Sequence, residues 1–239
     1  MGTRGAVIQV HGINANMTEG GMFVRLADRL TDADFNVLRF SLRGHGGSGG
    51  TQRGATIAGE LLDLQAAVEY AVGRFPGRLS IVASSFGAVS TSLSLPWLGD
   101  RLDRLVLWNP VLDLQRTFVK PELPWGEDNF SPDQLKLLST QGFLMLDGEF
   151  EVGRVLFEEF HHYRPPDYLL ASTVPALVVH GDGDSAVSYE IARQAAVARP
   201  ATDFHTVRGS DHGFDTRERE DEAVTVTVEW LVSGGKGRA

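Results

Sequence analysis

The chain contains no cysteine. Disulfides, thiolate nucleophiles and cysteine-rich zinc sites are therefore excluded, and the absence fits a cytoplasmic protein. There is no basic tract. With 22 Lys and Arg against 31 Asp and Glu, the formal net charge is −9, which leaves no positive patch for a nucleic-acid backbone. No apolar run is long enough to span a bilayer. The first residues, Met1 to Ala6, lack the apolar stretch of a signal peptide. Their Met-Gly start fails as a myristoylation signal, because Ala6 stands where Ser or Thr is required. No internal repeat or linker divides the 239 residues, so residues 1–239 are expected to form one domain.

The hydrophobic residues that are present, 42% of the chain, fall into short runs. Ala6–Val10, Phe35–Phe40, Leu79–Ala83, Leu105–Trp108 and Ala176–His180 are near-continuous apolar strand formers, with a weaker sixth at Thr202–Val207. Runs of this kind suit strands buried on both faces of a parallel sheet. Helical spacing lies between them. Phe23, Leu26, Ala27 and Leu30 share one face, and Ile57, Leu61, Leu64, Val68, Val72 and Phe75 fall on one stripe that ends at Pro76-Gly77. Strand–helix alternation at these spacings predicts an α/β fold with helices on both faces of the sheet.

Two stretches break the rhythm. The segment of about 111–172 is rich in aromatics and is predicted to be an inserted helical lid, with Trp125, Phe143 and Phe157 as candidate substrate-binding residues. Within it, Ser131-Pro132 and Gln134 spell a capping box opening a helix that Gly142 closes. Val224 to Trp230 alternates with period two, which by itself says strand; the context of the fold favours a helix, on which Val224, Val228 and Leu231 align. The tail, residues 233–239, is expected to be disordered.

Four segments at strand ends carry chemistry. Ala83-Ser84-Ser85-Phe86-Gly87 follows a buried strand and has small residues two before and two after Ser85, the spacing of a nucleophile elbow. Ser84 fits less well, because Phe86 would then occupy the position that must be small. His180-Gly181-Asp182-Gly183-Asp184 places two competing acids beyond a strand. Turn chemistry or a calcium loop would use the same residues, but Ala186 and Val187 break the calcium-loop spacing. Ser210-Asp211-His212-Gly213 follows the last strand, and an imidazole there suits a base for a serine hydroxyl, in chain order Ser, Asp, His. His11-Gly12-Ile13 follows the first strand. Acyl chemistry needs backbone N–H donors for an oxyanion, and the expected pair is Ile13 and Phe86. Of the other histidines, His180 and His205 fit core positions, His161 and His162 a surface, and His45 a structural role in a glycine-rich turn.

With His11-Gly12, Arg43-Gly44-His45-Gly46-Gly47-Ser48, the Ser85 turn, His180-Gly181-Asp182-Gly183-Asp184 and Asp211-His212-Gly213, the chain resembles the α/β-hydrolase superfamily, and within it small bacterial esterases of the feruloyl-esterase, monoacylglycerol-lipase and serine-aminopeptidase-like group. The resemblance spans nearly the whole chain and selects Asp184 over Asp182 as the acid. Family members carry an antiparallel hairpin before the strand that begins here at Ala6, so about six strands are expected instead of eight, unless an upstream segment is missing. The resemblance implies a serine hydrolase acting on a carboxylic ester of a small-molecule acyl substrate, with Ser85, His212 and Asp184 as its triad and no metal or organic cofactor. Thioesterase or acyltransferase action by the same residues is the enzymatic alternative. A non-catalytic binding protein on the same scaffold is the other.

Overall fold

The computed structural model describes residues 2–234. Six parallel strands form one sheet: β1 (Ala6–Val10), β2 (Asn36–Arg39), β3 (Leu79–Ser84), β4 (Leu102–Trp108), β7 (Ala176–Gly181) and β8 (Thr202–Val207), in the order β2-β1-β3-β4-β7-β8. All six runs expected from the sequence are present. The helices are α1 (Met22–Asp32), α2 (Ile57–Arg74), α3 (Gly87–Leu98), α4 (Pro124–Asn129), α5 (Pro132–Gln141), α6 (Arg154–Glu159), α7 (Pro165–Ala171), α8 (Tyr189–Ala198) and α9 (Arg217–Ser233).

Alternation along each strand builds two cores. Ile8, Ile81, Leu105, Leu107 and Val178 pack with residues of α2, α3 and α8, such as Leu64, Ala88 and Ala192. Val7, Val82, Val106 and Val179 pack on the opposite face with Phe23 and Leu26 of α1 and Val224 of α9. This is the α/β-hydrolase arrangement of a parallel sheet covered on both sides. Its parallel register puts the ends of β1, β3, β7 and β8 on one rim, where ligands of open α/β sheets bind.

Residues Val224 to Trp230 are helical. Their period-two pattern has a physical cause: Thr227 is buried among the valines, and its hydroxyl accepts the indole N–H of Trp108 at 2.8 Å. Thr216 caps the helix by accepting from the Arg219 amide, a contact worth about 1 kcal/mol. The α2 stripe differs from the expected one. Val72 is 56% exposed and Leu61 only half-buried, whereas Glu60, Ala67 and Ala71 are buried. The small side chains at 67 and 71 let the helix lie close to the sheet and turn Val72 outward.

The segment of 111–172 holds α4, α5, α6 and α7 and a two-stranded antiparallel hairpin of β5 (Phe143–Leu146) and β6 (Phe150–Gly153), which the sequence did not announce. Helix α5 begins and ends as expected, but the capping box does not form. Ser131 makes no side-chain cap, and Gln134 instead accepts the Met145 amide at 2.9 Å, tying α5 to the hairpin. Of the tail expected to be disordered, Ser233 ends α9 and Gly234 caps it; residues 235–239 lie outside the described part. No helix of the described residues is long and apolar enough to cross a membrane.

Candidate active site

Ser85 occupies the turn between β3 and α3 with φ +49°, a left-handed conformation that costs a serine about 1 kcal/mol or more. The turn is fixed on both sides: the Ser85 amide donates to Trp108 O at 2.8 Å, and the Val111 amide donates to Ser85 O at 3.1 Å. Gly87 is where α3 passes against β1. A Cβ there would stand 2.6 Å from the carbonyl oxygens of Val10 and His11, so only glycine fits. Two residues before the serine, Ala83 is fully buried and its methyl is accommodated.

The Ser85 hydroxyl lies 3.0 Å from Nε2 of His212. On the other side of the imidazole, Nδ1 lies 2.8 Å from Asp184 Oδ2. A carboxylate only accepts, so the proton sits on Nδ1 and Nε2 is free to accept from Ser85. The two loops that bring these residues together are stitched by Asp211. Its Oδ1 accepts from the His212 amide at 2.7 Å and from both the amide and hydroxyl of Ser185 at 2.8 Å. Asp182 turns the other way and accepts from the Gly209 amide.

Asp184 is held by four donors. Oδ1 accepts from the amides of Ala186 and Val187 at 2.9 and 2.8 Å, and Oδ2 from His212 and from Nε2 of His180 at 3.1 Å. Burial alone would raise the Asp184 carboxyl, but the facing imidazoles of His212 and His180 outweigh it and hold the group well below the usual carboxylate range. Burial likewise lowers His212, yet the charge and hydrogen bond of Asp184, with Glu19 and Asp211 nearby, leave the imidazole raised above its ordinary value. The arrangement favours proton uptake by His212 when the serine hydroxyl gives up its proton.

A cavity of about 150 Å³ opens over Ser85 and His212, lined among others by Ile13, Glu19, Phe118 and Trp125. The amides of Ile13 and Phe86 donate to no acceptor among the described residues. The loop bearing Ile13 is fixed from beneath. His11 donates from Nδ1 to Gly12 O at 2.8 Å and accepts the Leu42 amide on Nε2 at 2.9 Å; burial is the main reason its pKa falls to about 4. His45 is buried with Nε2 2.6 Å from Ile13 O and Nδ1 2.9 Å from Arg43 O. Both histidines have structural roles. Gly12 approaches Ser85 so closely that a Cβ would lie 3.2 Å from the serine Cβ.

The family model described as serine aminopeptidase, S33, matches residues 2–135. The chain belongs to the serine aminopeptidase S33 family. Among curated proteins none matches it. Solved structures share the fold at low identity. The ferulic acid complex of Est1E from Butyrivibrio proteoclasticus is 22% identical with TM-score 0.77, covering 96% of this chain and 87% of that one. A monoacylglycerol lipase from Paleococcus ferrophilus is 20% identical with TM-score 0.71, covering 98% and 96%. Mouse alpha/beta hydrolase domain-containing protein 10 is 18% identical with TM-score 0.77, covering 98% and 92%.

In this S33-family chain Ser85, His212 and Asp184 meet, and Ile13, Phe86 and Trp125 stand at or beside the cavity. Phe143 and Phe157 do not line it. Phe143 lies under the Arg53 guanidinium, 3.6 Å from its ring centroid, and Phe157 is buried against Phe130 and Phe160. Phe118, stacked on Phe160 at 4.5 Å, supplies the wall instead. Aromatic composition marked the segment, but only packing decides which rings face the cavity. Two neighbours of the site went unrecognised. His180 is buried in the core, as its strand position predicts, and its role as a donor to Asp184 is what the sequence does not reveal. Glu19 was not singled out; its setting, Thr18-Glu19-Gly20-Gly21, reads as an ordinary acidic helix start.

Proposed function

We propose that this hydrolase is a serine esterase that cleaves a carboxylic ester with a compact acyl group through an acyl-enzyme. The observation that carries the reading is the 3.0 Å contact between Ser85 Oγ and His212 Nε2, with Asp184 on the far nitrogen. The Ser85 oxygen attacks the ester carbonyl while its proton passes to His212 Nε2. Asp184 keeps the imidazole in the tautomer that accepts there and stabilises its cation. The amides of Ile13 and Phe86 receive the oxyanion; losing one such donor costs about 3 kcal/mol of barrier. The intermediate then collapses, expelling the alkoxide, which takes the proton from His212. Water attacks the acyl-enzyme in the second half, with His212 again as base, and releases the acid and Ser85.

The cavity argues for the substrate class. About 150 Å³ suits a short chain or a single ring. Its wall of Phe118, Trp125, Val111 and Val187 is apolar, and among the described residues no lysine or arginine lines it. Thr117, Phe118, Trp125 and Asp147 all come from the segment of 111–172, which we read as the lid over the site.

The test is turnover of p-nitrophenyl esters from acetyl to decanoyl, with the corresponding thioesters in parallel. Short acyl esters are expected to be the best substrates and Ser85→Ala to lose at least 10³-fold of the rate. Undiminished turnover by Ser85→Ala contradicts the reading, and a uniform preference for the thioesters moves it to a thioesterase.

A further inference from the structure

Glu19 stands on the short turn Glu19–Gly21 between β1 and α1, with φ +45°. A non-glycine residue in that conformation is strained and persists where surrounding contacts outweigh the strain. Here the contacts belong to the carboxyl group. Oε2 accepts the Gly12 amide at 3.0 Å, and Oε1 accepts the Ser84 hydroxyl at 3.1 Å. Gly12 immediately precedes Ile13, and Ser84 immediately precedes Ser85 and Phe86. One side chain therefore spans the loop after β1 and the end of β3, the two segments that carry the amides assigned above to the oxyanion.

The group also belongs to the cavity itself. Glu19 lines it with Ser85 and His212, and a Cβ placed on Gly12 would meet Glu19 Oε1 at 3.5 Å and Ser85 Oγ at 3.6 Å. No lysine or arginine pairs with Glu19 among the described residues. The titratable side chain it faces is His212, which Asp184 and Asp211 approach from the loops after β7 and β8. Burial pushes the Glu19 carboxyl upward, while the Gly12 amide, the Ser84 hydroxyl and the His212 imidazole act against that shift. A fixed carboxyl without a cation, beside the imidazole and braced between the two donor-bearing segments, is poorly explained by stability alone.

We propose that Glu19 is a positioning residue of the esterase site: its carboxyl group braces the Gly12–Ile13 turn against Ser84–Ser85 on the side of the cavity shared with His212. The proposal rests on the serine-esterase reading. Shape and charge separate in two variants. Glu19→Gln keeps an oxygen for the Gly12 amide and offers an N–H to the Ser84 hydroxyl, but carries no charge. Glu19→Ala removes both contacts. Misplacing the donors by a fraction of an ångström acts on the transition state more than on binding.

The experiment compares wild type, Glu19→Ala and Glu19→Gln for kcat and KM on p-nitrophenyl butyrate across pH, with thermal unfolding as the control for folding. Glu19→Ala is expected to lose about 10²-fold in kcat with KM within about threefold. Glu19→Gln is expected to recover at least a tenth of wild-type kcat and to move the acid limb of kcat/KM about half a pH unit or more downward. Glu19→Ala with kcat within twofold of wild type overturns the proposal. If Glu19→Ala does not fold, an acid limb in Glu19→Gln that coincides with that of wild type overturns it alone. Failure of the underlying reading looks different: wild type then takes up no fluorophosphonate at Ser85, whereas wild-type labelling with indifferent Glu19 variants counts against Glu19 only.

Discussion

His180 donates to the same oxygen of Asp184, at 3.1 Å, that takes the hydrogen bond of His212 at 2.8 Å. Both partners of this contact are fully buried at the side chain. The Nδ1 of His180 has no hydrogen-bond partner among the described residues. Replacing His180 by Phe removes one of four donors on a buried carboxylate, but His212 still holds the same oxygen. The expected result is a loss of about 1–3 kcal/mol in denaturant unfolding together with retained reactivity of Ser85 toward fluorophosphonate. A variant that is fully stable but unreactive contradicts this division of roles.

The pH dependence follows from the signs of two shifts. His212 is raised, so the neutral base that accepts from Ser85 is depleted up to a higher pH than an ordinary histidine allows. The acid limb of kcat/KM is expected to have its midpoint above the unperturbed value of 6.5. For stability the two groups act in opposite windows. The raised His212 contributes stability that is complete below 6.5 and lost as pH rises through its folded value. The lowered Asp184 contributes stability that is complete above its unfolded value of 3.8 and lost as pH falls toward its folded one. Asp184→Asn removes the orientation of the imidazole, and kcat is expected to fall by about 10³–10⁴-fold, measured on p-nitrophenyl butyrate at the wild-type optimum.

Gly12 tests how tightly the loop must approach the serine. A Cβ there would lie 3.2 Å from Ser85 Cβ, a distance relieved by a shift of a few tenths of an ångström. Gly12→Ala is expected to fold and to lose about 10–10²-fold in kcat. Gly87→Ala faces two carbonyl oxygens at 2.6 Å, which cannot yield without moving β1, and is expected to abolish soluble folded protein. Comparing expression and melting temperature of the two variants checks the contrast.

Trp125 lines the cavity from the segment of 111–172, with its indole N–H on Asp147 Oδ1 at 2.8 Å. Trp125→Ala enlarges the space for the acyl group. Octanoyl over butyryl selectivity, as the ratio of kcat/KM for the p-nitrophenyl esters, is expected to rise about tenfold; an unchanged ratio places the acyl group elsewhere.

The sheet was legible because strands buried on both faces leave near-continuous runs such as Leu79–Ala83, and the strand-end positions of Ser85, Asp184 and His212 followed from it. The hairpin of Phe143–Leu146 and Phe150–Gly153 was not, since four-residue runs beside a helical pattern carry too little periodicity. Phe143 and Phe157 show a related limit: composition marks an aromatic segment, but only the stacking of Phe118, Phe130 and Phe160 decides which ring meets the cavity. Glu19 had no local signature, because its contacts with Gly12 and Ser84 lie 7 and 65 residues away in the chain.

The most direct test of the account is to react the protein with a fluorophosphonate and locate the adduct by peptide mass spectrometry. A single adduct on Ser85, slowed at least 10³-fold in His212→Ala and absent in Ser85→Ala, is the expected result. An unreactive Ser85 in the folded wild-type protein, or an adduct that survives Ser85→Ala, contradicts it.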